Sequence, residues 1–435
     1  MTGREEVRQP RRNDLTELLN AGSLAVEIAK DDDLGECVMD LSRSTLSFAV
    51  IALALVVEGF DLQAANLAGP AIVSAFGITP AELGPVLSAS LLGVLVGSLL
   101  IGPLGDRHGR RRVMILSCVA YGTISLLTVF AGTIWQLAIM RFLVGVGLGG
   151  MLPNALAMAG QIASPRFRAT ATGLVGIGIT FGGVVGGIAA AKFVPSYGWQ
   201  AMFILGGILP FLIAIPIRLL LPAGAPTEAM PTENLQEKPG VGQLLAEGMR
   251  AQTITIWVIF ALCLMSGYLL NAWVPLVTRE AHFSLEQSAW LTTAYHFGGT
   301  MGGILSSLLL RWNRWKATAL FAMGAGIALS LNGLAVWPVA TLTLLIVFAG
   351  FSVTGTQNAI NGAAGTSYPE HLRSSGLGWA LGMGRIGSII GPLVGSAAAA
   401  TGLFAPHQFF FLPVIPMVLA GLLALTLVRA SAAPR

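Results

Sequence analysis

From Ser47 onward the chain alternates between apolar stretches of about 18–25 residues and short polar breaks. Each stretch is long enough to cross a hydrocarbon core of about 30 Å as a helix. The stretches fall near 47–73, 84–104, 113–131, 135–156, 167–191, 199–221, 253–277, 286–310, 317–336, 340–363, 373–397 and 408–428, twelve in all. Their Gly and Pro residues are compatible with membrane helices and blur the ends. Ahead of them, residues 1–45 are polar, carry both signs of charge and contain the cluster Asp31, Asp32, Asp33. Leu15, Leu18, Leu19, Leu24, Val26 and Ile28 would allow a short amphipathic helix there, and a disordered tail fits at least as well. No uncharged run before Asp40 is long enough for the apolar core of a secretory leader, so none is expected.

The longest internal polar stretch, 222–252, divides the spans six and six and reads as a linker rich in Pro, Gly, Thr and Glu. The halves are related. A shift of 205 positions lays Pro70 on Pro275, Arg168 on Arg373 and Gly173 on Gly378, and brings the basic stretch 107–112 to within one position of the basic stretch 311–316. The expected organisation is a tail (1–45), a first six-helix bundle (46–221), a linker (222–252) and a second bundle (253–435). This all-α membrane architecture of twelve transmembrane helices in two pseudo-repeats is one that carriers use, holding substrate near mid-membrane between the halves.

Composition agrees with the pattern. Hydrophobic residues make up 54% of the chain and charged residues 11%, too few to cover a water-soluble surface. The three cysteines, Cys37, Cys118 and Cys263, are scattered, so neither a disulfide framework nor a metal or redox motif is expected. The net charge of +4 raises the question of a nucleic-acid partner, and its location argues against one. With both termini inside, the inner segments hold the tail arginines, Arg107, Arg110, Arg111, Arg112, Arg166, Arg168, Arg218, Lys238, Arg250, Arg311, Arg314, Lys316, Arg373, Arg429 and Arg435. The outer loops hold Lys192 and Arg279. This asymmetry places both ends of a multi-pass inner-membrane protein in the cytoplasm.

Four ionisable groups lie deep in apolar spans: Glu58, Asp61, Arg141 and Arg385. Each costs about 2.5–3.5 kcal/mol at a helix centre, so they are expected to face the bundle interior and neutralise one another. At about 1.5 Å per residue, Glu58 and Asp61 stand roughly 17–21 Å along the first span and Arg385 roughly 18 Å along the eleventh, with Arg141 near the same level. Glu58 and Asp61, three residues apart, share a helical face.

The loop after the second span reads Gly102-Pro-Leu-Gly-Asp106-Arg107-His-Gly109-Arg110-Arg111-Arg112. It resembles the Gly-x-Leu-Gly/Ala-Asp-Arg-x-Gly-Arg-Lys/Arg signature of the major facilitator superfamily. The run Glu58-Gly-Phe-Asp61-Leu-Gln63-Ala-Ala-Asn66 resembles the D-G-x-D motif of the aromatic acid:H+ symporter family, with Glu in the first position, and is most like the branch that imports 3-(3-hydroxyphenyl)propionate. The runs from Arg141 to Asn154 and from Trp379 to Gly387 add to the likeness, which covers about 45–428.

The resemblance implies a monomeric carrier in the lipid bilayer that imports a small aromatic carboxylate with H+, without catalysis, metal or cofactor. It also implies that Gly102, Asp106, Arg107, Gly109 and Arg110 latch the halves on the cytoplasmic side. The second half has Arg311 where Asp106 stands, so its own latch is expected to be degenerate. In the mechanism expected from these charges, Arg385 takes the substrate carboxylate, Asp61 is the principal proton carrier, Glu58 is its partner, and Arg141 restores the ionised state after release. Gln63, Asn66, Asn271, Gln357 and His296 are candidate hydrogen-bonding contacts, with helix-to-helix bonding the alternative for each. Trp273 is a candidate stacking partner, with a place at the membrane interface the alternative. An efflux H+ antiporter of the same fold remains the other functional reading. The fifth span approaches an antiporter signature but has Gly183 where that signature has Pro. A transport-derived receptor would need a larger cytoplasmic output domain, and no nucleophile–base set suggests an enzyme.

Overall fold

The computed structural model describes residues 45–163, 168–223, 241–246, 248–309 and 313–432. The tail, most of the linker and Arg311 lie outside these, so the expectations placed on them are not addressed by it. The described chain is helical: α1 (Thr45–Phe76), α2 (Pro80–Leu100), α3 (Leu104–His108), α4 (Arg110–Thr128), α5 (Ile134–Gly149), α6 (Met151–Ile162), α7 (Arg168–Tyr197) and α8 (Gln200–Leu220) come first. Then follow α9 (Val241–Leu244), α10 (Arg250–Glu280), α11 (Leu285–Leu309), α12 (Arg314–Leu334), α13 (Val339–Ala364), α14 (Glu370–Thr401) and α15 (Val414–Ala432), the last preceded by a 3-10 turn, Pro406–Phe411.

Ten of the described helices, counting α5 with α6 as one and the 3-10 turn with α15, are long and apolar enough to cross a membrane. The other two long helices are α4, which opens on three arginines, and α11, whose buried face carries Ser288, Thr292, Thr293, His296 and Thr300. The chain is thus a twelve-helix membrane protein in two six-helix pseudo-repeats.

Several helices outrun the apolar stretches, because polar caps start them. Thr79 and Glu82 form a capping box ahead of Pro80, so α2 begins four residues before its apolar run. Gly109, at φ 91°, occupies a backbone region open to glycine and starts α4 at the arginines rather than after them. The fourth span breaks at Gly150 into α5 and α6. The end of the expected linker is not free: Leu244 of α9 is buried in the second half's core, and its carbonyl accepts a hydrogen bond from Thr253 at 2.9 Å.

The packing of the two halves differs between the ends of the molecule. At the end where α1 runs into α2, one core takes residues from both halves: Phe60, Ala64, Ala68 and Leu83 with Leu269, Trp273, Leu276 and Ala289. Toward the end bearing the 102–112 loop there are two separate cores, one around Ile51, Met114 and Leu148, the other around Ile256, Phe260 and Ile360. The halves meet along two seams, α2 on α14 and α7 on α11. In the first, Ser88 donates to the Ile389 carbonyl at 2.8 Å. In the second, Gly183 and Gly187 lie directly against His296 and Thr293, with no room for a Cβ. The halves therefore share one core at the first end and keep separate cores at the other.

Candidate functional site

Asp61 and Arg141 are both fully buried and form an ion pair, Nη1 to Oδ2, at 3.2 Å. Apart from Arg141 Nε, which has no partner, the pair is well satisfied. Ser125 of α4 donates to Asp61 Oδ1 at 3.0 Å, while Arg141 Nη2 donates to the Asp61 carbonyl at 3.0 Å and to Ser90 of α2 at 3.1 Å. The Arg141 guanidinium also lies over the Phe203 ring at 5.5 Å, a cation–π contact. Gly206 of α8 backs the carboxylate so closely that a Cβ there would collide with Oδ1. Every partner belongs to the first half, so this network joins α1, α2, α4, α5 and α8 into one unit.

Glu58 is placed differently. Its side chain is 2% exposed, and Oε2 has no hydrogen-bond partner. The expected pairing of the two acids is therefore corrected: Asp61 is held by Arg141 and Ser125, not by Glu58. Among the described residues no cation forms an ion pair with Glu58; the fourth of the expected charges, Arg385, stands on α14 in the other half. Arg385 is half-buried, and among the described residues its guanidinium makes no hydrogen bond or ion pair. It stands one turn before Ile389, the residue that receives Ser88 from α2, so this side of α14 turns toward the first half.

The other candidates divide. Asn66 donates to Gln63 at 2.6 Å on the same helix face, so these two amides satisfy each other in part. Asn271 has a buried carbonyl oxygen without a partner, and Gln357 reaches toward Gly267 of α10. His296 is buried against Gly183 and edge-on to Tyr295 at 5.5 Å, with Nε2 unpartnered. Trp273 needs a correction on both readings. It is buried, donates to the Pro392 carbonyl at 3.1 Å and stacks on Phe409 at 5.2 Å, so it is neither open to a substrate ring nor at the membrane interface. Helix α10 continues to Glu280, which carries Trp273 into the interior.

In the loop, Asp106 pairs with Arg110 of its own half at 3.0 Å and is 65% exposed, while Arg107 is exposed. Gly102 offers its carbonyl to Asn154 at 3.3 Å, and Gly105 lies against the same amide. The Asp106 pair closes within the first half; it is not the bridge to the second half that a latch requires.

Ser90, Ser125 and Phe203 were not picked out from the sequence. A signal for one of them was available. Ser117, Tyr121, Ser125 and Thr128 form a buried polar stripe at helical spacing along α4, and a stripe that long in a membrane helix calls for a polar partner. An apolar groove of about 470 Å³, lined by Val184, Trp290, Phe297 and Val347 among others, lies on the flank of α7, α11 and α13, away from the charges.

A family model described as Major Facilitator Superfamily matches residues 51–392 and 256–435. A 4-hydroxybenzoate transporter of Pseudomonas aeruginosa is 30% identical over 387 residues, covering 82% of this chain and 86% of that protein. A 3-(3-hydroxy-phenyl)propionate transporter of Escherichia coli is 33% identical over 365 residues, covering 83% and 88%. Among solved structures, a bacterial homologue of the human lysosomal transporter Spinster, inward-facing and unoccupied, superimposes with a TM-score of 0.69 at 18% identity, covering 90% of this chain and 99% of that one.

Proposed function

Because the chain belongs to the major facilitator superfamily, we propose that it is a proton-coupled importer of a small aromatic carboxylate, working by alternating access in the bacterial inner membrane. Relatives named for 4-hydroxybenzoate and 3-(3-hydroxy-phenyl)propionate support the substrate class. The observation that carries the reading within this chain is Arg385, a half-buried cation without an ion pair among the described residues, on the side of α14 that turns toward the first half. A planar guanidinium in that position suits bidentate pairing with a carboxylate. Asn271 and His296 of the second half, each with a buried polar atom lacking a partner, and Gln357 are the candidates for ring hydroxyls.

The charge asymmetry of the loops supports placing the 102–112 end in the cytoplasm, and on that placement the conformation described above is inward-open. Asp106 paired within its own half then suits a latch that is undone in this state. Asp61 is the acid whose protonation would release Arg141 and loosen the first half for reorientation. Its re-ionisation would restore the pair. The antiporter of the same fold is not favoured, and Gly183 in the place of a Pro agrees with that.

The test is uptake of labelled 3-(3-hydroxyphenyl)propionate and 4-hydroxybenzoate into proteoliposomes under an imposed inward proton gradient. Accumulation that disappears in Asp61→Asn is the expected result. Expulsion of label under the same gradient would replace import by antiport.

A further inference from the structure

We infer that the apolar groove between α7, α11 and α13 is a phospholipid site. One acyl chain of the leaflet farther from the 102–112 loop lies in it, touches both halves at once and favours the conformation described above. The site stands on the groove's own walls, whichever solute the chain carries.

The sequence of α11 builds one wall. Trp290, Ala294 and Phe297 recur at helical spacing, so two rings, 45% and 50% exposed, flank a small side chain and leave a notch. Opposite stand Val339, Thr343 and Val347 of α13, short branched side chains four residues apart on one helix face. Val184 of α7 closes the third side, from the first half. The inner end stops where the helices pinch together: Gly298 lies against the Val347 carbonyl and Gly350 against that of Tyr295, with no room for a Cβ at either. Every glycine of α11 and α13 lies from there inward, within 298–303 and 350–362, and the outer parts of both helices carry larger side chains that keep them apart.

Length and chemistry select the occupant. Gln287 to Phe297 rises about 15 Å and Val339 to Val347 about 12 Å, close to half of a hydrocarbon core of about 30 Å, which is one leaflet. Both rows begin at helix starts, Gln287 in the first turn of α11 and Val339 as the first residue of α13, where the chain leaves the membrane. No lining residue is charged, and the hydroxyls of Thr293 and Thr343 already donate to the Ala289 and Val339 carbonyls at 2.8 and 2.7 Å. A carboxylate would find no cation there, whereas the groove opens sideways onto hydrocarbon, so a flexible apolar chain fits it. Val184 adjoins Gly183, and Gly183 and Gly187 lie against His296 and Thr293; Thr293 also lines the groove. The groove is therefore complete only while α7 rests on α11. A chain that binds the complete groove favours that arrangement over one in which α7 has moved away.

The test reconstitutes the full chain in vesicles containing phosphatidylcholine with a diazirine midway along one acyl chain, and maps the adducts by peptide mass after photolysis. Adducts on 290–297 and 339–347 are expected to exceed several-fold those on the exposed side of α4, at Leu116 and Leu127. Ala294→Phe and Thr343→Phe fill the groove from opposite walls, and each should cut its labelling several-fold while α4 is labelled as before. Gly187→Trp, which cannot be accommodated while α7 rests on α11, should lower groove labelling as well. Groove labelling no stronger than that of α4, or unchanged in both filled variants, overturns the site. Unchanged labelling in Gly187→Trp overturns its dependence on the seam between the halves. Insertion of a photoreactive hydroxybenzoate into the same two peptides would give the groove to the carried solute instead. Adducts that emerge only as the protein is diluted in lipid would give it to a second copy of the chain.

Discussion

Glu58 and Asp61 are one helical turn apart on α1, equally hidden from water, yet they occupy opposite electrical situations. Asp61 has a cation, a hydroxyl and close packing on its own side of the molecule. Glu58 has a buried oxygen without a partner and, among the described residues, no ion pair. A network confined to one half moves with that half as a rigid piece. An acid left without such partners has nothing on its own half to fix its charge when the halves move or a ligand enters between them. The difference teaches that two equally buried acids can be electrically unlike, one compensated within its own half and the other not.

The harshest way to break this contrast is to strip Asp61 of its partner. Arg141→Ala leaves a buried carboxylate uncompensated and is expected to cost about 3–5 kcal/mol of stability. Detergent unfolding curves should show that loss, together with abolished transport, and the double change with Asp61→Asn should recover part of the stability. Arg385→Ala removes the cation that has no ion pair among the described residues and should read out differently. Loss of a charge-assisted bond worth about 1.5–3 kcal/mol corresponds to roughly a 10- to 100-fold weaker substrate Kd, with the unfolding midpoint nearly unchanged. Arg385→Lys should recover only part of the affinity, because an ammonium lacks the planar fork. Equal effects of Arg141→Ala and Arg385→Ala on stability would erase the distinction between the two cations.

Ser125→Ala probes the Asp61 side more gently. Hydrogen bonds inside membrane proteins average about 0.6 kcal/mol, so a small fall in stability is expected, with weaker coupling rather than weaker substrate binding. Trp273→Phe should matter least to function. The stacking on Phe409 is retained and one hydrogen bond to Pro392 is lost. Substrate preference among hydroxybenzoates and hydroxyphenylpropionates should stay as in the wild type, and a changed order of preference would bring Trp273 back as a ligand contact.

Much of this was legible in the residues. Twelve apolar stretches and the 205-residue repeat describe the helices and their division into halves, because lipid demands long uninterrupted apolar runs. Helix ends were less legible, since Thr79 with Glu82 and Gly109 act through cap geometry rather than hydropathy. That four buried charges must neutralise one another follows from their cost, and the structure does join Asp61 to Arg141. Which acid meets which base was not readable, because it depends on how each helix is rotated about its axis against neighbours far away in the chain. Trp273 shows the same limit: nothing local distinguishes an interfacial tryptophan from one carried inward by a helix running seven residues further, to Glu280.

The coupling of acid and proton is tested most directly by running the reaction without any imposed gradient. Proteoliposomes loaded with a pH-sensitive dye are given external 3-(3-hydroxyphenyl)propionate, with protein-free liposomes correcting for passive entry of the neutral acid. Symport is expected to acidify the interior beyond that background, and the excess should vanish in Arg385→Ala. An interior that turns alkaline, or one that never departs from the protein-free trace although labelled substrate enters, would contradict proton-coupled import.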